Sequence, residues 1–194
     1  LLKEDFTALK KIVVGFDFCF GKNRKYCIDE LKKIFDGEVQ VISEIKFDEY
    51  PIHSRHIREF IKDGNIKKAN KFLGKEYKIY GTAIKGQGLG KSDFVPTINL
   101  RIDDFLLPKD GVYISKTTID SIEYNSVSFI GNRKTTDDTF AIETHILDKS
   151  IDFNNLNISI KFIERIRDNK KFNDFIELKN EILNDIDTAK KYFY

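Results

Sequence analysis

Several features are absent or scarce in this sequence, and their absence narrows the possible functions. No run of about 18 apolar residues occurs, so we expect no membrane-spanning helix. The 33 lysines and arginines nearly balance the 31 acidic residues, and the net charge is only +2. This balance does not favour nucleic acid as a partner. With 194 residues, of which 41% are hydrophobic, we expect one large domain or two small ones.

Cysteine and methionine are also scarce. Cys19 and Cys27 lie in a polar segment without the CxxC or histidine-rich spacing of a zinc site, so we expect free thiols and a cytoplasmic protein. The chain contains no methionine and starts at Leu1, which we interpret as the start of a fragment of a longer protein.

The pattern of apolar residues changes near residue 75. Before this point, short β-branched runs alternate with segments of helical spacing. Strands are predicted at residues 10–16 and 38–45, and helices at 28–35, 54–63 and 66–73, the last two stopped by Gly64 and Gly74. This order is typical of part of an α/β domain.

After residue 76 the apolar residues alternate with a period of two, which is typical of strands. Such segments are predicted at residues 77–84, 111–119, 123–130, 139–147 and 156–164. Five or six strands in succession imply an antiparallel sheet, most simply closed as a small barrel. The predicted fold class is therefore α+β, with a boundary between residues 75 and 76.

A helix is predicted at the end of the chain. Asn173 is the expected N-cap, and Asp174 and Glu177 suit the positive end of the first turn. The residues with the spacing of one helical face, which we expect to be buried, are Phe175, Leu178, Ile182 and Ile186.

A glycine-rich run follows the first strand of the predicted barrel. Gly86, Gly88 and Gly90 would allow backbone N–H groups to approach an anion, and Lys91 follows them. The run lacks the spacing of a P-loop. A phosphate-binding loop and a simple flexible hairpin are both consistent with it.

Pro96 directly precedes two polar residues that suit a metal or a phosphate. Thr97 and Asn99 are two apart, so in an extended segment their side chains share a face. Hydroxyl and amide oxygens are ligands for hard cations such as Mg²⁺. A polar strand edge is the alternative interpretation.

Glu143 lies in the middle of the predicted strand FAIETHIL. Its neighbours are small or apolar, and desolvation would raise its pKa toward the range of a general base. The alternative is a solvated outer face of the sheet.

The segment around residue 54 is basic. Ser54, Arg55 and Arg58 at a helix N-terminus could hold a phosphate, or could form an ordinary solvated face. His53 and His56 lack a third ligand for a metal site.

Five ordered pieces of the sequence resemble bacterial bifunctional riboflavin kinase/FAD synthetase. The glycine run leads into VPTIN where the family has FPTAN, and GVYIS, IGNR, ETHILD and RIRDNKKF follow in the family's order. The resemblance covers residues 76–194. It implies a six-stranded antiparallel Greek-key β-barrel with a C-terminal helix, and a kinase that makes FMN from riboflavin and Mg·ATP.

The first 75 residues resemble the back half of the family's adenylyltransferase domain. VVGFDFCFGKNRK is similar to a VVGxDFRFGxxR segment, and PIHSRHIREFI to an ISSTxIR segment. Ser54 and Arg58 would be remnants of that α/β nucleotidyltransferase-like site. Because the family's HxGH motif does not occur in this sequence, FMN adenylyltransferase activity is expected only in a full-length protein.

The resemblance also implies roles for individual residues. The loop with Gly86, Gly88, Gly90 and Lys91 would cover the nucleotide phosphates. Thr97 and Asn99 would hold Mg²⁺ and the phosphates. Glu143 would take the proton of the ribityl hydroxyl, and the region from Arg167 would close over the flavin.

Two positions depart from the family pattern. Phe94 stands where the family has glycine, and Phe129 where it has asparagine. They motivate a second hypothesis, a degenerate module that binds flavin or nucleotide without turnover.

Overall fold

The structure is a computed structural model that describes residues 8–84, 95–102, 104–149 and 157–194. The chain has two compact units, Leu1–Ile52 and His53–Tyr194. Within the described ranges, no helix is long and apolar enough to cross a membrane.

The first unit contains a small parallel βαβ arrangement. Its elements are β1 (Lys11–Gly15), β2 (Cys19–Phe20), β3 (Tyr26–Cys27), α1 (Ile28–Ile34), β4 (Glu38–Ile42), β5 (Lys46–Phe47) and β6 (Tyr50–Pro51). β1 and β4 pair in parallel, and α1 lies in the connection between them. The predicted order of strand, helix and strand is therefore confirmed.

The prediction of free thiols is wrong, because Cys19 and Cys27 form a disulfide bond. β2 and β3 are antiparallel and place the two cysteines directly opposite each other. Opposed residues in an antiparallel pair are close enough for their sulfurs to bond. The disulfide removes the free thiols on which the expected cytoplasmic location rested, and that location stays a prediction.

The second unit contains a closed barrel of six strands. Its elements are α2 (Ser54–Lys62), α3 (Ile66–Leu73), β7 (Tyr77–Ile84), β8 (Ile98–Arg101), β9 (Gly111–Ile119), β10 (Ile122–Asn132), β11 (Phe140–Ile146), β12 (Asn157–Asp168) and α4 (Phe175–Phe193). The order around the barrel is β10, β11, β8, β7, β12 and β9, and each neighbouring pair is antiparallel.

The barrel has the predicted Greek-key connection. β9, β10 and β11 follow one another as hairpins, and β12 returns to lie beside β9. β12 extends beyond its predicted end to Asp168 and carries two register shifts against β9. Such irregularities bend a strand locally.

The barrel interior is filled by alternating side chains. The cluster includes Ile79, Ile98, Ile130, Ile142, Ile160 and Phe162. Ile66 of α3 belongs to the same cluster. Asn70 of α3 donates to the Phe162 carbonyl at 2.8 Å and accepts from the Tyr77 amide at 2.7 Å. α3 is thus part of the compact barrel unit, while the assignment of residues 1–75 to one domain stays a prediction.

One side of the interior is polar, which the sequence pattern did not indicate. Five fully buried hydroxyl residues from three neighbouring strands form a closed ring of hydrogen bonds. In order around the ring they are Ser115, Ser126, Thr117, Thr144 and Ser128, with oxygen separations of 2.7–3.0 Å. Each hydroxyl can donate one bond and accept another, so the ring satisfies these groups without water.

The C-terminal helix differs from its prediction at two points. Asp174, rather than Asn173, is the N-cap, and its carboxylate accepts from the Glu177 amide at 2.8 Å. Phe175 is 53% exposed and does not belong to a buried stripe. The buried residues of α4 are Asp185 and Ala189, because this part of the helix packs on the outer face of the barrel.

Candidate active site

One row of residues runs across the outer face of five barrel strands. Strand register places Asn99 opposite Glu143, Glu143 opposite Phe129, Phe129 opposite Val112, and Val112 opposite Arg167. Directly opposed residues project to the same side of a sheet. We call this set the outer row. It brings predicted metal, catalytic and flavin residues onto one surface.

Glu143 sits in a partly dry environment in this row. Its side chain is 19% exposed, and burial raises its pKa above the ordinary value. The Arg133 guanidinium and the Thr97 hydroxyl oppose that rise in pKa. The mid-strand glutamate is therefore neither fully solvated nor unpaired.

Each oxygen of the Glu143 carboxylate has a different donor. Arg133 Nη1 donates to Oε1 at 3.3 Å, and Thr97 Oγ1 lies 3.5 Å from Oε2. The second contact is long for a hydroxyl hydrogen bond. Oε2 is consequently the less firmly held of the two oxygens.

The segment that carries Thr97 and Asn99 is tied to β11. The Pro96 carbonyl accepts a hydrogen bond from His145 Nδ1 at 2.8 Å. Ile98 points into the barrel core, so Thr97 and Asn99 face outward on either side of it. Thr97, Asn99 and Glu143 therefore lie together, as the sequence pattern predicted for the first two.

The predicted phosphate loop is not among the residues that the structure describes. Gly86, Gly88, Gly90 and Lys91 lie outside the described residues, as does Phe94. Their assignment to the nucleotide phosphates stays a prediction.

Arg133 is a site residue that the sequence analysis missed as a functional group. It follows β10, and its guanidinium reaches Glu143 on the neighbouring strand. The same guanidinium donates to Thr139 Oγ1 at 2.6 Å and to Asp137 Oδ2 at 3.2 Å. Arg133 belongs to the IGNR segment that resembles the family. Its sequence spacing alone does not show that the β10–β11 turn brings its guanidinium next to Glu143.

Arg167 lies at the far end of the outer row, and its guanidinium binds α4. Nε and Nη2 donate to the two oxygens of Asp185 at distances between 2.7 and 3.1 Å. Asp185 is 4% exposed, and burial raises its pKa although Arg167 opposes the shift. Arg167 thus fastens the end of β12 to the C-terminal helix, and its predicted contact with flavin stays a prediction.

Ser54 and Arg58 both lie on α2, one turn apart. Both residues are exposed at the surface. Ser54 is the first residue of the helix, where backbone N–H groups are unpaired. Their predicted role at a phosphate stays a prediction.

Comparison with known proteins identifies the family. A model of the riboflavin kinase family, described as Flavokinase, matches residues 73–193. The chain belongs to the riboflavin kinase family. The match covers the complete barrel and α4, so every member of the outer row lies within the family region.

The relatives of this riboflavin kinase family member include longer proteins. The chain is 32% identical to the bifunctional riboflavin kinase/FMN adenylyltransferase of Haemophilus influenzae, over 95% of this chain and 62% of that protein. It is 30% identical to the Bacillus subtilis protein of the same description, over 93% of this chain and 60% of that protein. The chain thus spans about three fifths of the length of these curated relatives.

A solved structure is also similar. The structure described as a macrolide-efflux protein from Streptococcus pneumoniae has a TM-score of 0.82 and 32% sequence identity. The likeness covers 93% of this chain and 60% of the other. It extends beyond the barrel into the region of the first unit.

Proposed function

We propose that this chain is a riboflavin kinase that transfers the γ-phosphoryl group of ATP to the terminal ribityl hydroxyl of riboflavin. The observation that carries the proposal is the outer row, which sets Glu143 beside Thr97 and Asn99 within the family's barrel. Phosphoryl transfer depends mainly on positioning and on neutralising charge, and three polar groups on a rigid sheet suit that demand.

Glu143 acts as the general base in this proposal. The ribityl hydroxyl gives its proton to Glu143 as its oxygen forms a bond to the γ-phosphorus. The bond from that phosphorus to the β–γ bridging oxygen breaks, and ADP leaves. Partial burial supports this role, because it raises the pKa of Glu143 toward the range in which a carboxylate accepts a proton.

The oxygen donors in the outer row and in the adjacent Thr97 fit Mg²⁺. Thr97 and Asn99 offer hydroxyl and amide oxygens beside one carboxylate, and Mg²⁺ in nucleotide sites takes few protein oxygens together with substrate phosphates. When bound, the metal would neutralise phosphate charge. Thr97 and Asn99 would hold it, and Thr97 would keep its hydroxyl close to the carboxylate of Glu143.

The second candidate is a module that binds flavin or nucleotide without turnover. Phe129 favours it, because this large side chain lies directly opposite Glu143 where the family pattern has asparagine. Quenching of riboflavin fluorescence measures binding, and release of ADP measures turnover. Turnover that falls at least tenfold in Thr97→Ala supports the kinase, whereas riboflavin binding with no ADP release in the unchanged chain supports the module.

We further propose that residues 1–75 are part of an adenylyltransferase domain and that a longer protein makes FAD from FMN. The bifunctional relatives, which this chain matches over most of its own length, support the proposal. We propose riboflavin and ATP as small-molecule partners on the same grounds, and the cytoplasmic location stays a proposal without structural support. FAD formation from FMN, assayed separately with this chain and with a longer protein, tests this proposal. We expect FAD only from the longer protein.

A further inference from the structure

We propose that Arg133 is a positioning residue for Glu143, which fixes the carboxylate so that Oε2 meets the substrate hydroxyl. This inference rests on the proposed kinase function. Arg133 binds Oε1 at 3.3 Å, while the contact of Oε2 with Thr97 is the longer one at 3.5 Å. Oε1 has the charged donor, which sets the orientation of the carboxylate, and Oε2, with the weaker neutral donor, is available to receive a proton.

The guanidinium of Arg133 is itself held from its other side. Nη2 donates to Thr139 Oγ1 at 2.6 Å and to Asp137 Oδ2 at 3.2 Å, and Nε makes only an ion-pair contact with Asp137 Oδ1 at 3.2 Å, without a hydrogen bond. Thr139 Oγ1 in turn donates to Asp137 Oδ2 at 2.8 Å. Planar guanidinium groups form such fixed forks, so Arg133 cannot rotate without losing several bonds.

Backbone hydrogen bonds within the same turn also connect its two ends. The Arg133 amide donates to the Thr139 carbonyl at 2.9 Å, and the Arg133 carbonyl accepts from Thr136 and Asp138 at 2.9 and 3.1 Å. The side chain of Arg133 is only 21% exposed. A turn closed on itself and a shielded arginine together give Glu143 a rigid support.

Lys134 provides a matched control for this role. It is the next residue in the same turn, and its Nζ contacts the Asn169 carbonyl at 3.5 Å. Arg133→Gln and Lys134→Gln each remove one positive charge from the same turn. A general loss of attraction for ATP would affect both variants, whereas loss of positioning would affect only Arg133→Gln.

The test is steady-state FMN formation by the whole chain, with separate kcat and KM values for riboflavin and ATP. Arg133→Gln is expected to lower kcat about 10- to 100-fold with both KM values within about twofold, since small misplacements of a catalytic group have effects of this size. Arg133→Lys keeps the positive charge but loses the planar guanidinium. Its kcat should lie between that of Arg133→Gln and that of the unchanged chain. Lys134→Gln should retain the kcat of the unchanged chain.

A double variant distinguishes positioning from an independent role. If Arg133 acts through Glu143, Arg133→Gln should cause no further loss of kcat in a Glu143→Gln background. An additive loss would overturn the inference. So would a kcat within twofold of the unchanged chain in Arg133→Gln, a change confined to KM, or an equal loss in Lys134→Gln.

Thr139→Val keeps the inference testable if Arg133→Gln does not fold. It removes one support of the guanidinium and is expected to lower kcat about two- to fivefold, with riboflavin binding by fluorescence quenching unchanged. An unchanged kcat in folded Thr139→Val, with Arg133→Gln unfolded, would overturn the inference. An unchanged chain that makes no FMN would refute the proposed function itself, and the inference would fall with it.

Discussion

Thr117→Val tests the buried hydroxyl ring, the least expected feature of the barrel. The Thr117 hydroxyl is bonded to Ser126 at 2.8 Å and to Thr144 at 2.9 Å, and all three residues are fully buried. Valine has nearly the same shape, so the change removes two hydrogen bonds without opening a cavity. At about 1 kcal/mol net for each bond, plus the cost of one hydroxyl left without its ring partner, we expect a loss of about 2–3 kcal/mol.

The adjacent residue supplies the control for this experiment. Thr118 is on the same strand but faces outward and is half-buried, so Thr118→Val should change the free energy of unfolding by less than about 0.5 kcal/mol. Urea unfolding followed by circular dichroism measures both variants. Thr117→Val should also lower the melting temperature by about 5–10 °C. Equal stability of the two variants would refute the assignment of a stabilising role to the ring.

Three further predictions concern the rest of the second unit. Arg167→Met leaves the buried Asp185 carboxylate without its positively charged partner. In urea unfolding at neutral pH, the free energy of unfolding should fall by about 3–5 kcal/mol. Because burial already raises the pKa of Asp185, that loss should shrink as the pH falls and the carboxyl is protonated, and a loss independent of pH would contradict this explanation. Gly131→Ala should cost about 1–3 kcal/mol in the same assay, since Gly131 in β10 has φ +138° and an added Cβ would lie 2.8 Å from Asn169 Nδ2; a neutral result would contradict this steric explanation. Removal of Mg²⁺ with EDTA should abolish FMN formation and leave riboflavin fluorescence quenching in place, whereas activity in EDTA would exclude the proposed role of Thr97 and Asn99.

Periodicity predicted most of the barrel because successive side chains of a strand point alternately into the barrel and away from it. β7 and β9 have the predicted bounds of residues 77–84 and 111–119. The outward position of Glu143 follows from the same alternation. β12 was predicted too short, since its bulges break the period of two near its end.

The features that sequence could not predict depend on contacts between distant residues. Ser115 and Thr117 occupy inward positions of β9, but their polarity suggests an outer face until the partners on β10 and β11 are known. The disulfide required the register of a two-residue strand pair. Burial of Asp185 in α4 depends on an arginine 18 residues earlier in the chain. The pairing of Arg133 with Glu143 likewise requires the closed β10–β11 turn.

The capping error has a local cause. Asn173 and Asp174 are adjacent, and both are favourable N-cap residues. In the structure the Asn173 amide instead bonds to the Glu177 carboxylate at 2.9 Å, which leaves Asp174 to cap the helix. Phe175, the first residue of the helix, is exposed at the surface.

The most direct test of the central claim is FMN formation from riboflavin and Mg·ATP by the unchanged chain and by Glu143→Gln. Chromatography of the flavin products and a coupled assay for ADP give the two yields independently. The proposed mechanism predicts FMN and ADP in equal amounts from the unchanged chain, and a kcat lower by about 10²- to 10⁴-fold in a folded Glu143→Gln variant. An equal rate of FMN formation in Glu143→Gln, or no FMN from an unchanged chain that binds riboflavin, would contradict it.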